Sequence, residues 1–218
     1  TSSNNGNVAI LDSTVTGTAP SDATVINSSV NGQQQTGDNY VALVNGKGYN
    51  TLQDAVDAVT TTENTTITLL KDTAGAGVVV NGNGTVKRNL TFDQGGHTYT
   101  ITSGVGSAGT ETNGFQLIKN NNITFKNGTI AADPEEGQQV KILIQNYSNL
   151  TLDGVKLDGA QLVGSAPYTL SNNFGDTVIK DSTIIAKEGG FAFDLYYWPK
   201  NGYGDGLSVT VEGNSEIK

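Results

Sequence analysis

Asn122-Ile-Thr-Phe-Lys-Asn-Gly-Thr-Ile130 returns 27 residues later as Asn149-Leu-Thr-Leu-Asp-Gly-Val-Lys-Leu157. In both copies apolar residues alternate with polar ones, the pattern of a short strand with one buried face. The opening triplet recurs along the chain as Ile67-Thr-Leu69, Leu90-Thr-Phe92, Ile123-Thr-Phe125, Leu150-Thr-Leu152, Thr177-Val-Ile179 and Val209-Thr-Val211. Its third positions stand 23, 33, 27, 27 and 32 residues apart. A second phrase sits between the first, in Phe115-Gln-Leu117, Ile142-Leu-Ile144, Tyr168-Thr-Leu170 and Phe191-Ala-Phe193, with last positions 27, 26 and 23 apart. Ile130, Leu157 and Ile184, spaced 27 and 27, supply a third. Three interleaved phrases with one period read as three walls of a single coil, because repeat architectures confine length variation to loops. The expected fold is all-β: a right-handed parallel β-helix, or β-solenoid, over residues 64–218, incomplete at its C-terminus.

A polar column supports that register. Asn89, Asn122, Asn149 and Asp176 each lie three residues before the third position of the first phrase. Asn tolerates left-handed backbone angles at a turn and can hydrogen-bond a copy of itself in the next layer. Asn89-Leu-Thr91 and Asn149-Leu-Thr151 also read as glycosylation acceptors, but a ladder at the turns accounts for their regular placement.

Before the repeats, the segment Tyr49 to Val59 carries Leu52, Ala55, Val56 and Val59 at helical spacing, opened by the capping box Thr51-Leu-Gln-Asp54. With the strand Tyr40-Val-Ala-Leu-Val44 and the turn at Asn45-Gly-Lys-Gly48 it forms a unit over 39–63, whose short α-helix is expected to cap the open end of the stack. Residues 1–38 are a polar extension with a near-duplicate, Ile10-Leu-Asp-Ser-Thr-Val-Thr-Gly17 and Val25-Ile-Asn-Ser-Ser-Val-Asn-Gly32. Its spacing of 15 is shorter than the later period, so it is expected to be a strand pair followed by a linker, Gln33 to Asp38.

Composition agrees with many short strands and tight turns: 28 Gly, 35% hydrophobic and only 15% charged residues. Twelve Lys and Arg against 21 Asp and Glu give a net charge of −9, which argues against nucleic acid as a partner. No apolar run approaches the roughly 20 residues of a membrane span, so no membrane insertion of this segment is expected. Cys is absent, which removes disulfides and thiolate chemistry. Met is absent even at position 1, so the sequence is expected to be a mature or excised piece that continues into further domains.

Val44-Asn-Gly-Lys-Gly-Tyr-Asn-Thr-Leu-Gln-Asp-Ala-Val-Asp-Ala58 followed by Ile67-Thr-Leu-Leu-Lys-Asp72, together with Asn122 to Ile130, Ile144 to Gly154 and Phe193-Asp-Leu-Tyr-Tyr-Trp198, resembles the pectate-lyase-like β-helix domains of Gram-positive commensal and gut bacterial surface proteins. The resemblance covers about residues 40–218. It implies a bacterial cell-surface or cell-wall setting and a glycan partner, and the group includes adhesins, proteins without known activity and polysaccharide lyases.

Candidate chemistry is sparse. A lyase needs a base over its substrate and carboxylates holding Ca²⁺, yet Arg88 is the lone arginine and reads as a cap at the entry to a strand. Asp153, Asp158 and Asp181 fit either solvated turns or an oxygen cluster for Ca²⁺. His97, beside Gly95 and Gly96, reads as a turn residue, and Asn81-Gly-Asn-Gly84 as a turn rather than a phosphate loop. No catalytic residue, metal site or cofactor is assigned. One segment concentrates binding chemistry: Tyr196 to Asp205 holds the only Trp and three of the eight Tyr. Asp194, Tyr196, Tyr197, Trp198, Tyr203 and Asp205 are the candidate ligand-binding residues, because sugar rings stack their C–H faces on aromatics and bond carboxylates through their hydroxyls. Packing of these aromatics under their own loop is the competing reading. The expected function is an extracellular adhesin-like domain binding host or environmental carbohydrate through loops. The alternatives are a non-binding spacer and, ranked below it, a polysaccharide lyase or hydrolase.

Overall fold

The computed structural model describes residues 8–20, 23–35, 40–82, 88–135, 139–196 and 206–218. Its first strands are β1 (Ala9–Leu11), β2 (Thr14–Val15), β3 (Thr24–Ile26), β4 (Ser28–Val30) and β5 (Gln33–Gln35). The near-duplicate sequence pairs with itself in parallel, Ile10 opposite Val25 and Val15 opposite Val30. Equal sequence yields equal backbone here: Asp12 and Asn27 both take positive φ, 44° and 46°, and the Asn27 amide donates to Asp12 Oδ1 at 2.6 Å. The expected linker is corrected at its start. Gln33–Gln35 runs antiparallel to β4, because Asn31 and Gly32, at φ 51° and 78°, make the two-residue turn that matches strand twist.

Next come β6 (Ala42–Val44), β7 (Lys47–Tyr49) and α1 (Leu52–Asp57), then β8 (Asn64–Leu69), β9 (Thr73–Ala76) and β10 (Val78–Val80). β11 (Arg88–Asp93), β12 (Thr98–Ser103) and β13 (Asn113–Leu117) repeat the order of those last three. β14 (Asn121–Ala132) and β15 (Ile142–Asn146) follow, then β16 (Asn149–Asp158) and β17 (Tyr168–Asn172). β18 (Gly175–Lys180), β19 (Thr183–Ile185), β20 (Phe191–Leu195), β21 (Leu207–Glu212) and β22 (Glu216–Ile217) complete the described chain.

The protein is thus mostly β, in sheets that are parallel or mixed. β8, β11, β14, β16, β18 and β21 pair in parallel in that order, and so do β10, β13, β15, β17 and β20. A third parallel series links β9, β12, the second half of β14, the second half of β16, β19 and β22. Two registers differ from the sequence reading. Phe92 lies opposite Ile67 rather than Leu69, and Phe115, not Leu117, lies opposite Ile144. Both errors are slips of two residues, which leave the buried face unchanged because strand side chains alternate with period two.

Between the first and third series the chain turns on left-handed residues. Asn127, Gly154, Asp181 and Gly213, at φ 58°, 66°, 47° and 64°, occupy equivalent positions in successive layers. Asn, Asp and Gly are the residues that tolerate this conformation. The asparagine column is elsewhere. Asn89, Asn122 and Asn149 sit inside strands, where Asn122 donates to Asn89 Oδ1 at 2.7 Å and Asn149 to Asn122 Oδ1 at 2.8 Å.

Ile67, Leu90, Ile123, Leu150 and their neighbours fill one apolar interior with Val78, Phe115, Ile144, Ile130 and Leu157. At its centre Phe92 stacks on Phe125 with centroids 4.7 Å apart, and Phe115 meets Phe125 edge-on at 5.1 Å. The outer surface of the first series carries Asp93, Lys126, Asp153, Lys180 and Glu212 in line across five strands. Lys126 reaches Asp93 at 3.1 Å and Lys180 reaches Asp153 at 3.3 Å.

Helix α1 covers one end of the stack. Thr51 Oγ1 accepts from the Asp54 N–H at 3.0 Å, and Leu52, Ala55 and Val56 are buried. Its Gln53 side chain behaves as a surrogate strand, accepting from Val79 N–H at 2.8 Å and donating to Val79 O at 3.0 Å. β6 closes the neighbouring series by pairing antiparallel with β8. At the opposite end Phe191, Leu195, Val211 and Ile217 remain exposed.

Candidate functional site

The corner joining the β10-to-β20 series to the next strand of the first series differs in length between layers. Seven residues, 81–87, connect β10 to β11, three connect β13 to β14, two connect β15 to β16 and β17 to β18, and eleven, 196–206, connect β20 to β21. The tight corners are locked by buried polar side chains. Asn146 donates to Asn172 Oδ1 at 3.3 Å and accepts from the Ser148 N–H at 2.9 Å, while Thr177 donates to Asn172 Oδ1 at 2.9 Å. Every one of these groups is partnered, so the corner is rigid rather than strained.

Outside this lock is a pocket of about 220 Å³. Asn120 and Asn121 line it from one layer, Ser148 and Asn149 from the next, and Phe174, Gly175 and Asp176 from the third, with Gly206 beyond them. Gly175 is required there: at φ 87°, a Cβ would stand 2.3 Å from the Ser148 carbonyl oxygen. The described lining is hydroxyl, amide, one half-buried aromatic and one carboxylate.

Of the six sequence-derived site residues, Tyr197, Trp198, Tyr203 and Asp205 lie outside the described residues. Tyr196 is 54% exposed at the mouth of the long corner, its N–H donating to Asn172 O at 2.8 Å. Asp194 is half-buried, and its carboxylate accepts from the Asn172 N–H at 3.2 Å and from the Ser171 hydroxyl. Burial pushes the Asp194 carboxyl above the ordinary range, and those donors only partly oppose the rise. Asp194 and Tyr196 therefore flank the corner, the carboxylate clipping Asn172 and the Tyr196 residue exposed. Nearby, Tyr168 and Phe191 stack with centroids 5.0 Å apart.

The remaining candidates resolve into supporting roles. Arg88 is buried, and its guanidinium donates to Val56 O at 3.5 Å, Val59 O at 3.3 Å, Asn81 O and Asn121 Oδ1. It thereby caps the last carbonyls of α1. Asp153 pairs with Lys180 and Asp158 with Lys156 at 2.8 Å, while Asp181 occupies a left-handed turn and accepts from the Asn214 N–H. Among the described residues no three His, Asp or Glu side chains gather as metal ligands. Burial opposes ionisation of Asp158, but the Lys156 ammonium and Ala160 N–H outweigh it and hold the carboxyl below its usual range. His97 Nδ1 stands 3.4 Å from Asp72 at the surface.

Sequence reasoning missed the pocket residues Asn120, Asn121, Ser148, Phe174 and Gly175. One signal pointed to them, the change from Asn to Asp at position 176 of the polar column. Among the described residues no helix is long and apolar enough to cross a membrane. Comparison with protein-family models, curated proteins and solved structures finds no match to this chain.

Proposed function

We propose that the chain is a right-handed parallel β-helix of the pectate-lyase-like kind and serves as an adhesin-like, carbohydrate-binding domain on a bacterial surface. The parallel series with their left-handed corners support the architecture, and the sequence resemblance supports the extracellular setting. One observation carries the binding reading: the longest corner of this series, whose sequence contains the chain's only Trp, adjoins a polar pocket and an exposed Tyr196. Insertions in repeat proteins cluster on the face that binds. Hydroxyl and amide groups beside aromatic rings suit sugar, whose ring faces are apolar and whose edges are polar.

A glycan array with the wild-type chain and the Tyr196→Ala and Trp198→Ala variants tests this. Binding to at least one glycan, weakened about tenfold or more by either substitution, is expected, since tenfold is about 1.4 kcal/mol and one ring contact is worth roughly that. Absence of glycan binding removes the reading. Release of unsaturated uronates from polygalacturonate with Ca²⁺, seen as new ultraviolet absorbance, would replace it with a lyase. A structural spacer is the second reading, favoured by the exposed apolar side chains of β20, β21 and β22, against which further strands would stack.

A further inference from the structure

The asparagine column changes its chemistry where it reaches the pocket. Asn122 and Asn149 each donate a side-chain amide to the preceding Asn oxygen, at 2.7 and 2.8 Å. At the next layer the side chain is Asp176, which has no amide to donate. Asn149 Oδ1 accepts instead from the Asp176 backbone N–H at 3.1 Å, and Ser208 donates to Asp176 Oδ1 at 2.6 Å. Asparagine at 176 would extend the ladder, so a carboxylate here forgoes a side-chain hydrogen bond that the repeat supplies elsewhere. Departures from a local rule concentrate at functional sites, and this one lines a pocket of about 220 Å³.

The charge of that pocket is one-sided. Among its described lining residues Asp176 is the only ionisable group, and the rest are Asn, Ser, Phe and Gly. Arg88 reaches the lining through Asn121, whose Oδ1 accepts from its Nε, and spends the rest of its guanidinium on backbone carbonyls. The chain as a whole carries −9. A uronate, sialylated or sulfated sugar would therefore bring its negative charge to a carboxylate with no cation among the described lining residues to offset it. A neutral sugar would bring hydroxyl or amide N–H donors, for which the carboxylate is the strongest acceptor available.

Resting on the carbohydrate-binding reading above, we propose that this corner pocket selects uncharged sugars, with Asp176 as the hydrogen-bond acceptor that binds them and disfavours anionic glycans. Asp176 is exposed, so its replacement leaves the interior untouched.

Titration calorimetry with two probe sets tests the proposal: neutral gluco-, galacto- and N-acetylhexosamine oligosaccharides, and anionic polygalacturonate and sialylated oligosaccharides. Wild type is expected to bind a neutral probe at least tenfold more tightly than any anionic one. Asp176→Asn should lose about tenfold in that affinity while its Tm stays level or rises, because the amide completes the ladder. Asp176→Lys should abolish neutral binding and shift preference towards the anionic set. Anionic probes that bind wild type as tightly as neutral ones would overturn the selectivity while leaving carbohydrate binding intact. Neutral binding indifferent to both substitutions would place the sugar elsewhere and overturn the pocket. No binding by either set would overturn both readings.

Discussion

Arg88 shows how one side chain can hold parts of the chain far apart in sequence. It stands at the start of β11 yet bonds Val56 and Val59 at the end of α1, and Asn121 in the next layer. Burial lowers its pKa and Asp57 opposes the shift, but a guanidinium stays charged at any ordinary pH. Replacing it with Met keeps most of the volume and strands several buried acceptors. Arg88→Met is expected to cost about 3 kcal/mol, and Arg88→Lys nearly as much, because one ammonium cannot span a fork of acceptors. Urea denaturation of both variants checks this, and a loss under about 0.5 kcal/mol in Arg88→Met would mean that water replaces the guanidinium without penalty. A capping role was legible from a lone arginine before a strand. The identity of what it caps was not, because the partners are some 30 residues away and meet it only in the folded chain.

At the scale of elements, α1 matters for its edge chemistry as much as for its apolar face. β10 begins a parallel series, and an end strand exposes backbone donors and acceptors to chance pairing. Gln53 occupies those of Val79 with one amide. Gln53→Ala should cost about 1 kcal/mol, the worth of the hydrogen bonds lost from a half-buried donor and acceptor that water can partly reach. Gln53→Glu should cost at least as much, since a carboxylate can accept from Val79 N–H but repels Val79 O. Hydrogen exchange at the Val79 amide separates the two, faster than wild type in Gln53→Ala and protected in Gln53→Glu; equal protection in all three proteins would show that the amide is not the closing group. The helix and its capping box could be read from spacing, but the turn expected at Asn45-Gly-Lys-Gly48 is only Asn45-Gly46, since Lys47 and Gly48 belong to β7 and pair with β6. The strand Gln33–Gln35 that the Asn31-Gly32 turn folds back on β4 is not legible, because three glutamines carry no strand signal.

Across the whole molecule, burial grades from a closed end to an open one. β14 and β16 are paired on both sides and enclose fully buried Phe125, Ile130, Leu152 and Leu157, whereas β21 and β22 expose Val211 and Ile217. Stacked repeats derive stability from their neighbours, so end layers open at lower cost. Hydrogen exchange should therefore run fastest in Leu207–Glu212 and Glu216–Ile217 and slowest in β14 and β16, by at least tenfold. Uniform protection would mean that the stack unfolds only as one unit. The sequence by itself determined that the chain is mostly β, which residues of each strand face inward, where the helix caps the stack and which segment gathers the aromatics. Period-two alternation carries that information in one dimension. Tertiary structure alone decided the two slipped registers, because a slip of two residues buries the same face and only packing of Phe92, Phe115 and Phe125 distinguishes Ile67 from Leu69 as a partner. It also decided the pocket: the 27-residue period aligns Asn121, Ser148 and Gly175, but that a cavity opens between them and Phe174 follows only from how the corners fold.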